Sequence, residues 1–86
     1  MIEGKLKSGF EYKIEEHRLD NMELLDAISE VDQNPMVLPK ILNMLLGLEQ
    51  RKALYDHLRT ENGNVPIVAV SNAVAELFTG SQKVKN

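Results

Sequence analysis

Apolar and polar residues alternate singly only near the start of the chain, where Glu11 and Lys13 separate Phe10, Tyr12 and Ile14. That period of two predicts a strand with one buried face, and Lys7-Ser8-Gly9 ahead of it predicts the turn of a small hairpin over residues 5–14. Two strands alone are marginal in water, so the hairpin is expected to lean on the helices C-terminal to it.

From residue 21 the period lengthens to that of a helix. Leu24, Leu25, Ile28 and Val31 share one face of a helix predicted over 21–32, and Glu23, Asp26 and Glu30 fall on another. Asp20, with Glu23 three positions on, is the expected cap. Asn34-Pro35 breaks the pattern. A second helix begins near Val37, and its apolar residues Val37, Leu38, Ile41, Leu42, Met44, Leu45 and Leu46 leave only Pro39, Lys40 and Asn43 as a polar edge. A stripe that wide marks a helix that is central to the fold or partly reserved for a partner, with core packing the commoner cause. Gly47 is the expected stop. A third helix over 48–59 turns Leu54, Tyr55 and Leu58 inward. After the loop Thr60–Asn64, Val65-Pro66 opens a fourth, lined by Ile67, Val70, Val74, Leu77 and Phe78, that is expected to stop at Gly80. Val68 and Ala75 fall on its outer side. The reading is a mainly α chain, a compact bundle of about four short helices with a small N-terminal β-hairpin. Residues 1–80 form one domain and 81–86 a mobile tail.

Composition narrows the function. The 86 residues include no cysteine and no tryptophan, so Leu, Ile, Val and Met must pack a lean core unaided by disulfides or thiolate metal sites. The start lacks the pattern of a signal peptide and no run is long enough for a membrane span, which predicts a cytoplasmic protein that binds no membrane. Residues 11–32 carry eight acids against Lys13 and Arg18, leaving that segment at −6 and the remainder at +3 of a net −3. Such a block repels phosphate backbones, so no nucleic-acid partner is expected, and the last predicted helix carries no Lys or Arg up to Gly80 with which to read DNA.

Catalytic constellations are missing. Ser8, Ser29 and Ser71 sit in a turn and two helices with no nucleophile elbow or neighbouring base, and no thiol exists. His17 with Glu16 and Asp20 lacks the paired spacing of a metal site, and His57 stands alone. The acids lie on wet helix faces, where their pKa values would not separate. Glu61-Asn62-Gly63-Asn64 lacks the alternating ligands of a calcium loop. Neither Ile-Ser-Glu nor Val-Ser-Asn is the Asp-Ser-Leu of an acyl carrier protein. The expectation is a protein that is not an enzyme, needs no cofactor and no metal, and works by binding another protein.

Three stretches carry a resemblance: Lys-Ser-Gly-Phe-Glu-Tyr-Lys-Ile at 7–14, Met-Glu-Leu-Leu-Asp-Ala-Ile-Ser-Glu-Val-Asp at 22–32, and Leu-Pro-Lys-Ile-Leu-Asn-Met-Leu-Leu-Gly-Leu-Glu-Gln-Arg-Lys-Ala-Leu-Tyr-Asp-His-Leu at 38–58. Over Lys5 to Phe78 the chain resembles small tail assembly chaperones of long-tailed phages and prophages of low-GC Gram-positive bacteria. Leu45, Leu46, Gly47, Gln50, Ala53, Leu54, His57 and Leu58 are its most specific part, and Leu48 departs from the polar residue expected there. These are packing and capping residues, a signature of fold before activity. The resemblance implies a helper that binds and solubilises the tape measure protein while tail tube subunits polymerise around it, with the major tail protein as a second expected partner. It implies absence from the mature virion, and often a longer frameshifted product. On that reading Leu42, Leu46 and Leu48 are the expected apolar contacts, and Glu23, Asp26 and Glu30 keep the complex soluble. Self-association into a homo-oligomer stays open. The competing classes are a small acidic phage regulator or inhibitor that grips a host protein through its charged face, and a structural component of the virion.

Overall fold

In the computed structural model, residues 1–85 are described, with side chains through residue 80. The chain is mainly helical with a two-stranded antiparallel hairpin at its start. The order is β1 (Ile2–Lys5), β2 (Glu11–Ile14), α1 (Glu16–Leu19), α2 (Met22–Glu30), a single 3₁₀ turn (Pro35–Val37), α3 (Leu38–Leu58) and α4 (Ile67–Lys85). No helix among the described residues is long and apolar enough to cross a membrane.

The hairpin reaches further back than the expected 5–14. Ile2 pairs with Ile14 and Gly4 with Tyr12, and Leu6 and Phe10 close the turn, with the Leu6 amide donating to the Phe10 carbonyl at 2.8 Å. Gly4 hid the first strand because it interrupts the apolar alternation between Ile2 and Leu6. The gap is filled from across the ladder, since a side chain at Gly4 would overlap the Tyr12 ring, which continues to the backbone of Gly80. Ile2, Leu6, Tyr12 and Ile14 all face the core.

Two boundaries also move. The helix expected over 21–32 spans Met22–Glu30, and its cap is Asn21, whose side-chain oxygen accepts from the Glu23 amide at 3.0 Å. Asp20, the expected cap, is exposed. A short helix that the sequence pattern did not announce, α1, buries Leu19. At the other end α4 runs through Gly80, where the pattern predicted a stop. The side chains of the expected mobile tail, 81–86, lie outside the described residues.

The wide apolar stripe of α3 is core. Leu38, Ile41, Leu42, Leu45 and Leu46 are buried, together with Leu24 and Ala27 of α2, Leu54 of the second half of α3, and Val70, Ala73, Val74 and Leu77 of α4. Gly47 interrupts α3 as expected, with φ 82° and ψ 167°, a region open essentially to glycine alone. Breaking a helix there frees the carbonyls of the preceding turn. Arg18 of α1 donates from Nη1 to the Asn43 and Met44 carbonyls, both at 3.2 Å. Gln50 donates from Nε2 to the Leu46 carbonyl at 2.9 Å.

Gln50 also fastens the sheet. Its Nε2 donates to the Lys13 carbonyl at 2.7 Å and its Oε1 accepts from the Lys13 amide at 2.9 Å, so a side-chain amide occupies part of the outer edge of β2. Two turns on, His57 Nε2 lies 2.9 Å from the Ser8 carbonyl, and its ring sits 5.7 Å from that of Phe10. Glu76 of α4 accepts from the Lys7 amide at 2.9 Å. The hairpin is therefore tied at three places to the helices on which it leans.

Gly47→Ala forces a side chain into a glycine-only conformation 3.5 Å from the Arg18 guanidinium, and is expected to cost about 1–3 kcal/mol. Chemical denaturation checks this. Gln50→Ala is expected to cost about 1 kcal/mol and to raise hydrogen exchange at the Lys13 amide selectively.

Candidate partner-binding groove

Of the expected apolar contacts, only one is at the surface. Leu42 is 0% and Leu46 5% exposed, whereas Leu48 is 54% exposed. The physical reason is their position in the first half of α3, where the hairpin, α2 and α4 all converge. Neither leucine can meet a partner in the folded chain. Glu23, Asp26 and Glu30 are exposed on α2, as expected, but they lie apart from the Leu48 surface on a different helix.

Sequence reasoning missed the main apolar recess. It is an open hollow of about 430 Å³ lined by Pro35, Met36, Leu38, Pro39, Tyr55, Arg59, Val65, Ile67 and Val70. Met36 and Ile67, at its mouth, are 84% and 68% exposed, and Val68 beside Ile67 is 71% exposed. Both ends of α3 contribute to it. In one straight helix Leu38 and Tyr55 would stand about 25 Å apart, so the turn at Gly47 is what brings them to a common wall.

The walls are held in place locally. Asn34 caps the 3₁₀ turn, its side-chain oxygen accepting from the Met36 amide at 3.3 Å, and this presents Met36 outward. The Arg51 guanidinium lies 5.6 Å from the centre of the Tyr55 ring, a cation–π distance that steadies that wall. Arg59 donates to Asp56 at 3.0 Å and to the Gly63 carbonyl at 2.9 Å. The loop beyond it closes on itself, the Thr60 amide donating to the Asn64 carbonyl at 2.9 Å. Val65-Pro66 then starts α4 at the groove's edge.

Chemically, the recess offers apolar surface and little else. The arrangement can receive a few aliphatic or aromatic side chains, the usual task of a groove that takes an amphipathic helix. The signal for it in the sequence is slight: Met36 stands between two prolines, and the helical period places Ile67 on the inward face of α4. His17 is exposed on α1, 3.7 Å from Glu15, and among the described residues no three His, Asp or Glu side chains gather as metal ligands.

Introducing a carboxylate at a core position should unfold the chain. Leu42→Glu and Leu46→Glu are expected to cost more than about 4 kcal/mol, a large share of what a domain of this size retains, while Leu48→Glu should change stability by less than about 0.5 kcal/mol. Thermal melts followed by circular dichroism distinguish the three. In comparison with known proteins, no family model matches the chain, and no curated protein or solved structure matches it.

Proposed function

We propose that this chain is a non-catalytic tail assembly chaperone of a long-tailed phage or prophage, which binds the tape measure protein in the host cytoplasm, keeps it soluble during tail morphogenesis and is absent from the finished particle. The observation that carries this reading is the open apolar groove between the 3₁₀ turn, the end of α3 and the start of α4. The resemblance over Lys5 to Phe78 supplies the partner.

A long amphipathic helix exposes apolar seams that aggregate. A small domain with one apolar recess can cover such a seam reversibly, because a single shallow contact gives modest affinity, and the net charge of −3 keeps the covered helix in solution. Release is then a matter of competition as tail tube subunits arrive. The contacts are Met36, Ile67 and the walls around them, while Leu42 and Leu46 belong to the buried core.

A second reading is a small acidic phage regulator that binds a host protein through α2. The exposure of Glu23, Asp26 and Glu30 on one helix favours it. Salt separates the two, because a contact made only by exposed charges weakens steeply as the Debye length shrinks.

The test is co-expression with the long helical tape measure protein that this reading takes as the partner, measuring how much of it stays soluble and co-purifies at low and high salt. Rescue is expected to survive high salt, and Ile67→Glu or Met36→Glu should weaken binding about ten- to a hundredfold, as expected for losing one buried aliphatic side chain. Aggregation regardless of the chain, or retention only at low salt and indifferent to Ile67→Glu, would transfer the case to the regulator.

A further inference from the structure

A second hollow continues along the same helix. About 250 Å³ in volume, it lies between α2 and α4 and is lined by Ile28, Val31, Asp32, Leu38, Val74 and Phe78 among others. Leu38 borders both recesses, and α4 supplies successive turns to them, Ile67 and Val70 to the first and Ser71, Val74, Phe78 and Thr79 to the second. From Ile67 to Thr79 the helix advances about 18 Å, the length of three to four turns of a partner helix.

Charge distinguishes the two walls. Among the described residues, two charged side chains line the hollows, Arg59 in the first and Asp32 in the second. Arg59 is already satisfied by Asp56 and the Gly63 carbonyl. Asp32 is exposed and forms no ion pair or hydrogen bond among the described residues. From Asp20 to Asp32 the chain carries no Lys or Arg, while Glu23, Asp26 and Glu30 lie on another face of α2 from Ile28 and Val31, which line the hollow. The facing wall on α4 is uncharged, since Ser71, Ala75 and Thr79 line it and Glu76 turns away to the Lys7 amide.

We infer that the two hollows form one docking surface for an amphipathic helix whose apolar stripe lies along α4 and whose α2-facing flank is basic, with a Lys or Arg set against Asp32. The apolar surface and the Asp32 carboxylate at its rim then act on the same ligand. Apolar burial supplies most of the affinity. Asp32 chooses the flank and so fixes which way round the helix lies, because a reversed helix would lose its cation there and an acid-flanked one would set like charge beside that carboxylate. This inference rests on the reading of the chain as a helix-binding protein and specifies that helix.

The experiment uses the full chain and two synthetic helical peptides of about sixteen residues with the same leucine stripe at i, i+3, i+4 and i+7, one flanked by Lys and one by Glu. Fluorescence anisotropy is read at low and high salt. The Lys-flanked peptide should bind about five- to tenfold more tightly at low salt, the effect of one or two exposed ion pairs, and the gap should narrow at high salt. Asp32→Lys should reverse the preference, and Ile67→Glu should weaken both peptides. Because each comparison is between two peptides on one protein variant, a partly unfolded variant does not imitate the result. Equal binding of the two peptides, a preference that ignores Asp32→Lys, or self-association of the chain abolished by Ile67→Glu would overturn the inference, the last by assigning the surface to a second copy. Failure here with successful rescue of the long helical protein leaves the chaperone standing and removes its basic-flanked helix. Peptide selectivity without rescue does the opposite.

Discussion

A glycine with φ 82° and ψ 167° in the middle of α3 is the constraint around which the other elements are arranged. Without it, residues 38–58 would form a rod about 31 Å long. With it, the second half of the helix turns back toward the hairpin and toward α4. The break exposes carbonyls that need donors, and Arg18 and Gln50 provide them. Gln50 passes the benefit on by clasping both backbone groups of Lys13. One backbone conformation thereby joins the hairpin, α1 and both halves of α3 into a single cooperative unit, and the hollow at the meeting of the two ends of α3 is its by-product.

That origin bears on function. A groove formed by a bent helix and the first turn of α4 needs no loop of its own to move into place, so its apolar lining is available before any partner arrives. Exposing Met36, Ile67 and Val68 costs solubility, and the acids on α2 offset it. The acidic stripe then has a physical task whichever partner is bound.

Much of the architecture was legible in the pattern of residues. The helical period of α2 and α4, the centrality of residues 37–46, the break at Gly47 and the outward placing of Val68 all stem from spacing, because burial of apolar stripes dominates those choices. What was illegible depended on pairs distant in sequence. Gly4 reads as a strand breaker until Tyr12 lies across it. The capping spacing points to Asp20, but it is Asn21 whose side-chain oxygen accepts from the Glu23 amide. His57, a lone surface histidine by its surroundings, is a tether to Ser8. Leu42 and Leu46 look available on a helix with too much apolar surface, yet three neighbouring elements consume that surface. Ile67 looked inward by period and is outward in fact, since the first turn of α4 projects beyond the core. The open recess therefore lies at Met36 and Ile67, away from the buried Leu42 and Leu46.

The central claim is that the partner lies in the hollow where Met36 and Ile67 emerge. Methyl signals report on it directly: with the four methionines and the isoleucines labelled, the spectrum of the free chain is compared with that of the complex purified with the long helical protein. The Met36 and Ile67 methyl groups should shift or broaden strongly, while Met1 and Met22, exposed but outside both hollows, stay in place. Shifts confined to Met22, at the start of the acidic helix, with Met36 and Ile67 unmoved, would contradict it and place the binding surface on α2.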